Sequence, residues 1–254
     1  MPSYIGHTAC AIKLMDQLKL NDEQKTKFII GNMIPDIKQV DIDYSLNEFE
    51  NKRNIQRAKR KTHFRRKTNK ILEFPNCDIF LEKYEKEIKK HIETLAYFFH
   101  LCTDYYYFRF FLPKVITFLD KNYAKVTEKD NFYYVKINKT GKTIKARAFF
   151  SKLSKKGLYK EYSRSNGYFI KKYKIELNTN ELREYIEKKG FDAHVEEVNI
   201  SKIYDVFNRL DKVYNRLKIE ELKIFDEREL DEFVEDVVSI FVKKYGYLMS
   251  KYLK

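Results

Sequence analysis

Five histidines are spread over the 254 residues of this chain, and three of them, His7, His63 and His100, are interspersed with the carboxylates Asp36 and Asp104. Neutral imidazole nitrogens combined with carboxylate oxygens form a donor set suited to zinc and similar divalent ions. His100 and Asp104 stand four residues apart, which on a helix puts both side chains on one face, within reach of the same ion. That HxxxD spacing alone also describes a helix-surface hydrogen bond, so the other three residues must supply the rest of the case. None of the five histidines is followed directly by aspartate, which sets aside a histidine-aspartate phosphohydrolase. The cysteines Cys10, Cys77 and Cys102 are odd in number and lack CxxC spacing, as expected of reduced, packed thiols rather than a disulfide framework or a cysteine zinc site.

A second chemical signal is positive charge. The chain carries 51 Lys and Arg against 37 Asp and Glu, a net charge of +14, which favours phosphate-bearing partners. From Asn178 onward acids outnumber bases, so the positive field belongs to the first two thirds. Its densest part, Lys52 to Lys70, holds ten Lys or Arg and no acid, and it surrounds His63. Arg60, Lys61, Arg65 and Arg66 are therefore candidate substrate-binding residues beside a candidate ligand. A solvated basic loop is the competing reading. The aromatic block Tyr105, Tyr106, Tyr107, Phe108, Phe110 and Phe111 could stack bases or line a cleft, but in a buried helix it is core.

The elements that must position these groups are mostly helices. Only 7 Gly and 4 Pro occur, which disfavours turn-dense sandwiches and barrels, and the length suffices for a sizeable core without disulfides. The expected fold is mainly α, a multi-helix bundle with a small inserted β element. Asn21 reads as the N-cap of a helix that ends near Pro35, leaving Asp36 just past a helix end. Residues 77–112 read as helical, with Ile92, Leu95, Ala96 and Phe99 as an apolar stripe. Residues 131–150 alternate like a hairpin around NKTGKT, and Tyr168 to Leu177 reads as a further strand. Two more apolar stripes, Ile203 to Leu217 and Leu230 to Phe241, mark C-terminal helices, the second opened by an Asp226/Glu229 capping box. The chain thus divides into a metal-binding helical core (1–120), an insertion with a β-hairpin (121–178) and C-terminal helices completing the bundle (179–254). No apolar run is long enough for a membrane span, so no stable membrane insertion is expected. The N-terminus has no basic n-region or sustained apolar h-region, so a cytoplasmic location is expected.

The segments GHTACAI, GNMIPDI, KTHFRR and FFHLCTD occur in the order and approximate separations of a known motif set. Over roughly Pro2 to Phe111 the chain resembles the zinc-dependent phospholipase C superfamily, which also contains the single-strand-specific zinc nucleases. The resemblance implies a helical bundle with a zinc cluster at one end. It implies that Asp36, His63 and His100 hold one ion, that His7 holds a second, and that Asp104 bridges the two. It further implies that Asp36 orients or deprotonates the attacking water, and that a free terminal amine at Pro2 joins His7, five residues later. Members with three zinc ions have two more histidines and an acid downstream. Here only His194 follows Asp104, so two zinc ions are expected, with His194 and Glu197 as a partial site at most.

The expected function is a zinc-dependent phosphoric ester hydrolase, a phosphodiesterase of phospholipase C-like or nuclease-like type. Its partner would be a phosphodiester substrate, either nucleic acid or phospholipid. The alternative is a non-catalytic zinc-containing protein or a basic nucleic-acid-binding module without turnover.

Overall fold

A computed structural model describes residues 3–41, 44–45 and 47–253. The protein is mainly α, 62% helical, with one three-stranded antiparallel sheet. In chain order the elements are α1 (Tyr4–Met15), α2 (Asp22–Met33), α3 (Glu48–Thr62), α4 (Cys77–Lys90), α5 (Ile92–Tyr106), α6 (Leu112–Val115), β1 (Ile116–Leu119), β2 (Tyr134–Ile137), β3 (Thr143–Lys145), α7 (Ala146–Phe149), α8 (Leu158–Tyr173), α9 (Thr179–Lys189), α10 (Ile203–Asn215) and α11 (Glu227–Tyr245). Among the described residues no helix is long and apolar enough to cross a membrane.

Helix α5 is the axis of the bundle. Its sequence, IETLAYFFHLCTDYY, is apolar on nearly every face, and all but two of its residues are buried; a helix of that kind must be surrounded by others. Helices α1, α2, α4 and α11 pack around it. The approach of α2 is especially close, because a Cβ at Gly31 would stand 2.4 Å from the carbonyl oxygen of Glu93 in α5. Only glycine permits that contact. The expected caps are present: Asn21 and Gln24 form a capping box on α2, as do Asp226 and Glu229 on α11. Pro35 stops α2, and a single 3₁₀ turn, Ile34–Asp36, carries the chain out of it.

Several local expectations change. The basic run around His63 is not a loop up to that residue: α3 extends to Thr62, opened by an Asn47/Glu50 capping box. The helical stretch 77–112 breaks at His91, whose extended backbone separates α4 from α5, and it ends in a π-helical turn over Tyr107–Phe111. The hairpin β2–β3 is present, but β3 stops at Lys145 because Phe149 turns into the core on α7. β1 joins as a third strand in register Ile116 with Ile137. The segment 168–177 is not a strand; α8 runs through it to Tyr173 and packs on α1. Its buried Glu161 accepts the backbone N–H groups of Lys223, Ile224 and Phe225 at 2.8, 2.8 and 3.0 Å. Residues 121–178 therefore include a helix of the main bundle as well as the hairpin.

Candidate metal centre

Four elements bring the five expected ligands to one buried point. His7 comes from α1, Asp36 from the turn after α2, His63 from the C-cap of α3, and His100 and Asp104 from one face of α5. All three histidines and Asp104 are buried, and the Asp36 side chain is 3% exposed. Two overlapping groups have ligand atoms mutually within 4.8 Å: His7, Asp36 and His100, and His63, His100 and Asp104. His100 belongs to both.

The orientation of each imidazole follows from its other nitrogen. His100 Nδ1 lies 2.7 Å from the backbone carbonyl oxygen of Asn32, and His63 Nδ1 lies 3.1 Å from that of Lys59. A carbonyl only accepts, and the Thr62 hydroxyl, 3.0 Å from His63 Nδ1, gives its own proton to the Pro35 carbonyl at 2.9 Å, so both rings carry their proton on Nδ1 and present the Nε2 lone pair inward. This is the backing that metal-ligating histidines commonly have. His7 stacks on His100 with ring centroids 3.8 Å apart.

His63 is aimed by a helix ending that its sequence does not advertise. The N–H of Arg65 donates to Arg60 at 2.9 Å and that of Phe64 to Lys61 at 3.2 Å, with Phe64 in the left-handed region at φ 51°. This pairing is a Schellman ending, normally completed by glycine. Phe64 takes the glycine position at a cost of about 1–2 kcal/mol, offset by its edge-on packing against Phe80. The same reversal points Arg65 back at Asp104, with Nη2 2.5 Å from Oδ2.

The inward-facing atoms have the spacing of ligands rather than of hydrogen-bonded groups. His63 Nε2 is 3.3 Å from Asp36 Oδ1 and 3.6 Å from Asp104 Oδ2, and His7 Nε2 is 3.4 Å from Asp104 Oδ1. Good N–H···O bonds are 2.7–3.2 Å long, whereas donors about 2.0–2.1 Å from a tetrahedral ion stand roughly 3.4 Å from each other. Both nitrogens of His7, Nε2 of His63, Nε2 of His100 and Oδ1 of Asp104 are buried without a hydrogen-bond partner. Orphaned polar atoms cost about 1–3 kcal/mol each, and a cation at this point would give them all a partner. The residues fit a divalent ion.

Their electrostatics point the same way. Burial alone would raise Asp36, but the Lys59 ammonium, with Nζ 3.0 Å from Oδ1, holds its carboxyl well below the usual range. Burial likewise opposes ionisation of Asp104, and Arg65, then His7, pull it far down. Burial lowers His63 to about 4, and burial followed by the neighbouring His7 lowers His100 strongly. The carboxylates are ionised and both rings neutral, the state a ligand must have.

The centre opens onto a cleft of two adjoining lobes, about 560 and 550 Å³, that share Lys59, Arg65, Leu72 and Phe108. The Arg65 guanidinium lies over the Phe108 ring, 5.0 Å from its centroid. The second lobe adds Lys152 and Arg209 to aromatic walls formed by Phe150, Tyr159 and Tyr162. Of the four expected substrate-binding residues, only Arg65 is at the centre. Arg60 lines the first lobe but is held by Glu73 at 3.0 Å. Arg66 borders a different cavity, and Lys61 is exposed and lines neither lobe. Pro2 lies outside the described residues. Asn32 and Arg209 are the residues that sequence reading missed; Lys59 stood in the basic run beside His63, but its pairing with Asp36 was not foreseen. Lys59 precedes His63 by one helical turn, the one spacing that hinted at it; nothing in the sequence points to Arg209, which comes from the acidic third.

Compared with known proteins, the chain matches no family model, no curated sequence and no solved structure.

Proposed function

We propose that this protein is a metal-dependent hydrolase of phosphate esters, working with two zinc-class ions in a manner similar to the zinc-dependent phospholipase C superfamily. The observation that carries the reading is the set of partnerless ligand atoms on His7, His63, His100 and Asp104, beside Asp36, which lines a cationic cleft. A structural metal site is closed by its ligands, whereas a catalytic one keeps an open side; the cleft beside Asp36 and Arg65 favours catalysis over the purely structural alternative. When bound, the ions supply Lewis acidity toward a phosphoryl oxygen and an acidified water.

The chain's own groups have separable tasks. Asp104, whose two oxygens face His7 and His63, would be the carboxylate shared between the ions. Asp36, kept ionised by Lys59, accepts a hydrogen bond from the attacking water and orients it. Arg65 lines both lobes of the cleft, so its guanidinium can turn from Asp104 to a phosphate oxygen there. Phe108 holds its guanidinium plane during that exchange. The aromatic and cationic walls suit a phosphodiester with a planar or apolar substituent.

Hydrolysis of bis(p-nitrophenyl) phosphate, followed before and after treatment with a chelator, tests the reading. Turnover that is lost on chelation and restored by zinc is expected; a fully metal-loaded protein without turnover would refute it. Parallel assays with a single-stranded oligonucleotide and with phosphatidylcholine vesicles separate the two substrate classes.

A further inference from the structure

A second group of histidines lies outside the buried centre, where α4 meets α5. His91 occupies the break between the two helices, and its ring stacks on that of His194 with centroids 3.7 Å apart. Glu87, four residues before His91 on α4, places Oε2 3.3 Å from His91 Nε2. Glu93, in the first turn of α5, places Oε1 3.5 Å from His194 Nε2. Ligand atoms of Glu87, His91 and His194 lie mutually within 4.8 Å. Again both measured distances exceed a good hydrogen bond and match the roughly 3.4 Å edge of a zinc tetrahedron. The expected His194/Glu197 pairing does not occur. Glu197 turns instead to Tyr84 at 2.6 Å and Lys83 at 2.7 Å.

The loop bearing His194 is held on both sides. The carbonyl of the preceding residue, Ala193, accepts from Thr94 Oγ1 at 3.0 Å inside the core, and the N–H of Glu196 donates to the Tyr84 hydroxyl at 3.0 Å. Between these anchors His194 adopts φ 53°, a left-handed conformation uncommon outside glycine, though histidine is among the residues that adopt it most readily. Its N–H donates to Asp192 at 2.8 Å. The imidazole is thereby fixed over His91. Two imidazoles and the Glu87 carboxyl group, converging from two segments with partial solvent access, form an open donor set for a borderline divalent transition ion, and Glu93 stands behind His194.

We propose that Glu87, His91 and His194 form a peripheral site for a zinc-class ion, which pins the loop 190–199 to the junction of α4 and α5. It is independent of the buried centre and of any hydrolase activity. Lys90, 3.9 Å from Glu87 and largely exposed, swings away on occupancy.

The test counts zinc per chain after chelation and re-equilibration with micromolar zinc sulfate, in wild type, His91→Gln and His194→Asn. Asparagine tolerates the left-handed backbone, so the second change removes the ring without straining the loop. Each variant is expected to hold one zinc fewer than wild type, whatever number the buried centre takes, with an unchanged circular dichroism spectrum. Equal zinc in all three proteins would overturn the site. Should a variant not fold, ring resonances of the wild-type histidines decide: zinc must shift His91 and His194, and rings that stay put as the protein saturates refute the proposal. Loss of zinc at the buried centre alone would instead leave the difference between wild type and variants intact.

Discussion

Replacing Arg65 by methionine should weaken the metal-free protein and tighten its grip on zinc. In the metal-free protein Arg65 is the nearest full cation to Asp104, whose carboxylate is completely buried. Removing one member of a buried ion pair commonly costs about 3–5 kcal/mol. Asp104 keeps His7 and His63 beside it, 3.4 and 3.6 Å away, so the low end of that range, about 3 kcal/mol, is the figure expected. For a chain of this size that corresponds to a fall of roughly 6–12 °C in Tm. With zinc bound, the ion supplies the opposing charge, and only the contact of the guanidinium with Phe108 is lost, about 0.5–1 kcal/mol. The difference of about 2 kcal/mol must reappear as tighter zinc binding, roughly thirtyfold, because the cycle linking folding and binding closes. Denaturant unfolding with and without zinc, together with a zinc competition titration against a chelator, measures both sides. Equal destabilisation in the two states, or weaker zinc binding by the variant, would show that Arg65 does not share Asp104 with a metal. Phosphodiester hydrolysis should fall in the same variant despite the tighter metal, since Arg65 is assigned to the phosphate.

Gly31→Ala should cost about 1–3 kcal/mol through overpacking, because its Cβ meets the Glu93 backbone, and it should also lower zinc affinity by shifting the Asn32 carbonyl that aims His100; wild-type values for both would contradict the packing argument. Glu161→Ala, which strands buried Arg164 and three backbone donors, should cost about 3–5 kcal/mol in urea unfolding, and a loss under 1 kcal/mol would refute the role of that carboxylate as an anchor. Burial would raise Glu197, yet Lys83 and Tyr84 hold it below its ordinary value. Its contribution to stability is therefore complete above the unfolded carboxylate range, near pH 4.3, and disappears as pH falls through the lower folded value. Between about pH 5 and 3, Tm should drop more steeply for wild type than for Glu197→Gln, and parallel curves would count against the assignment.

What the sequence made legible was the part governed by local rules. The capping boxes at Asn21 and Asp226, the stop at Pro35 and the stripes of α10 and α11 are short-range signals, and the structure contains them. The HxxxD pair on α5 is legible for the same reason. The strand expected over 168–177 failed because its alternation of aromatic and charged residues also fits a helix packed on one side, and burial of Phe169 against the bundle decides between them. Long-range relations were mostly hidden. No pattern in the sequence announces that Phe64 will occupy a left-handed position, yet that turn is what brings both His63 and Arg65 to Oδ2 of Asp104. His91 and His194 were separated by a hundred residues and became neighbours only through the loop anchored by Thr94 and Tyr84.

The central claim is that the buried histidines and aspartates are metal ligands. A crystal equilibrated with zinc and measured at the zinc absorption edge addresses it most directly. Two anomalous peaks about 3.5–4 Å apart, enclosed by His7, Asp36, His63, His100 and Asp104, are the predicted result. A map without a peak there, in which Lys59 and Arg65 still hold Asp36 and Asp104 in saturating zinc, would contradict it.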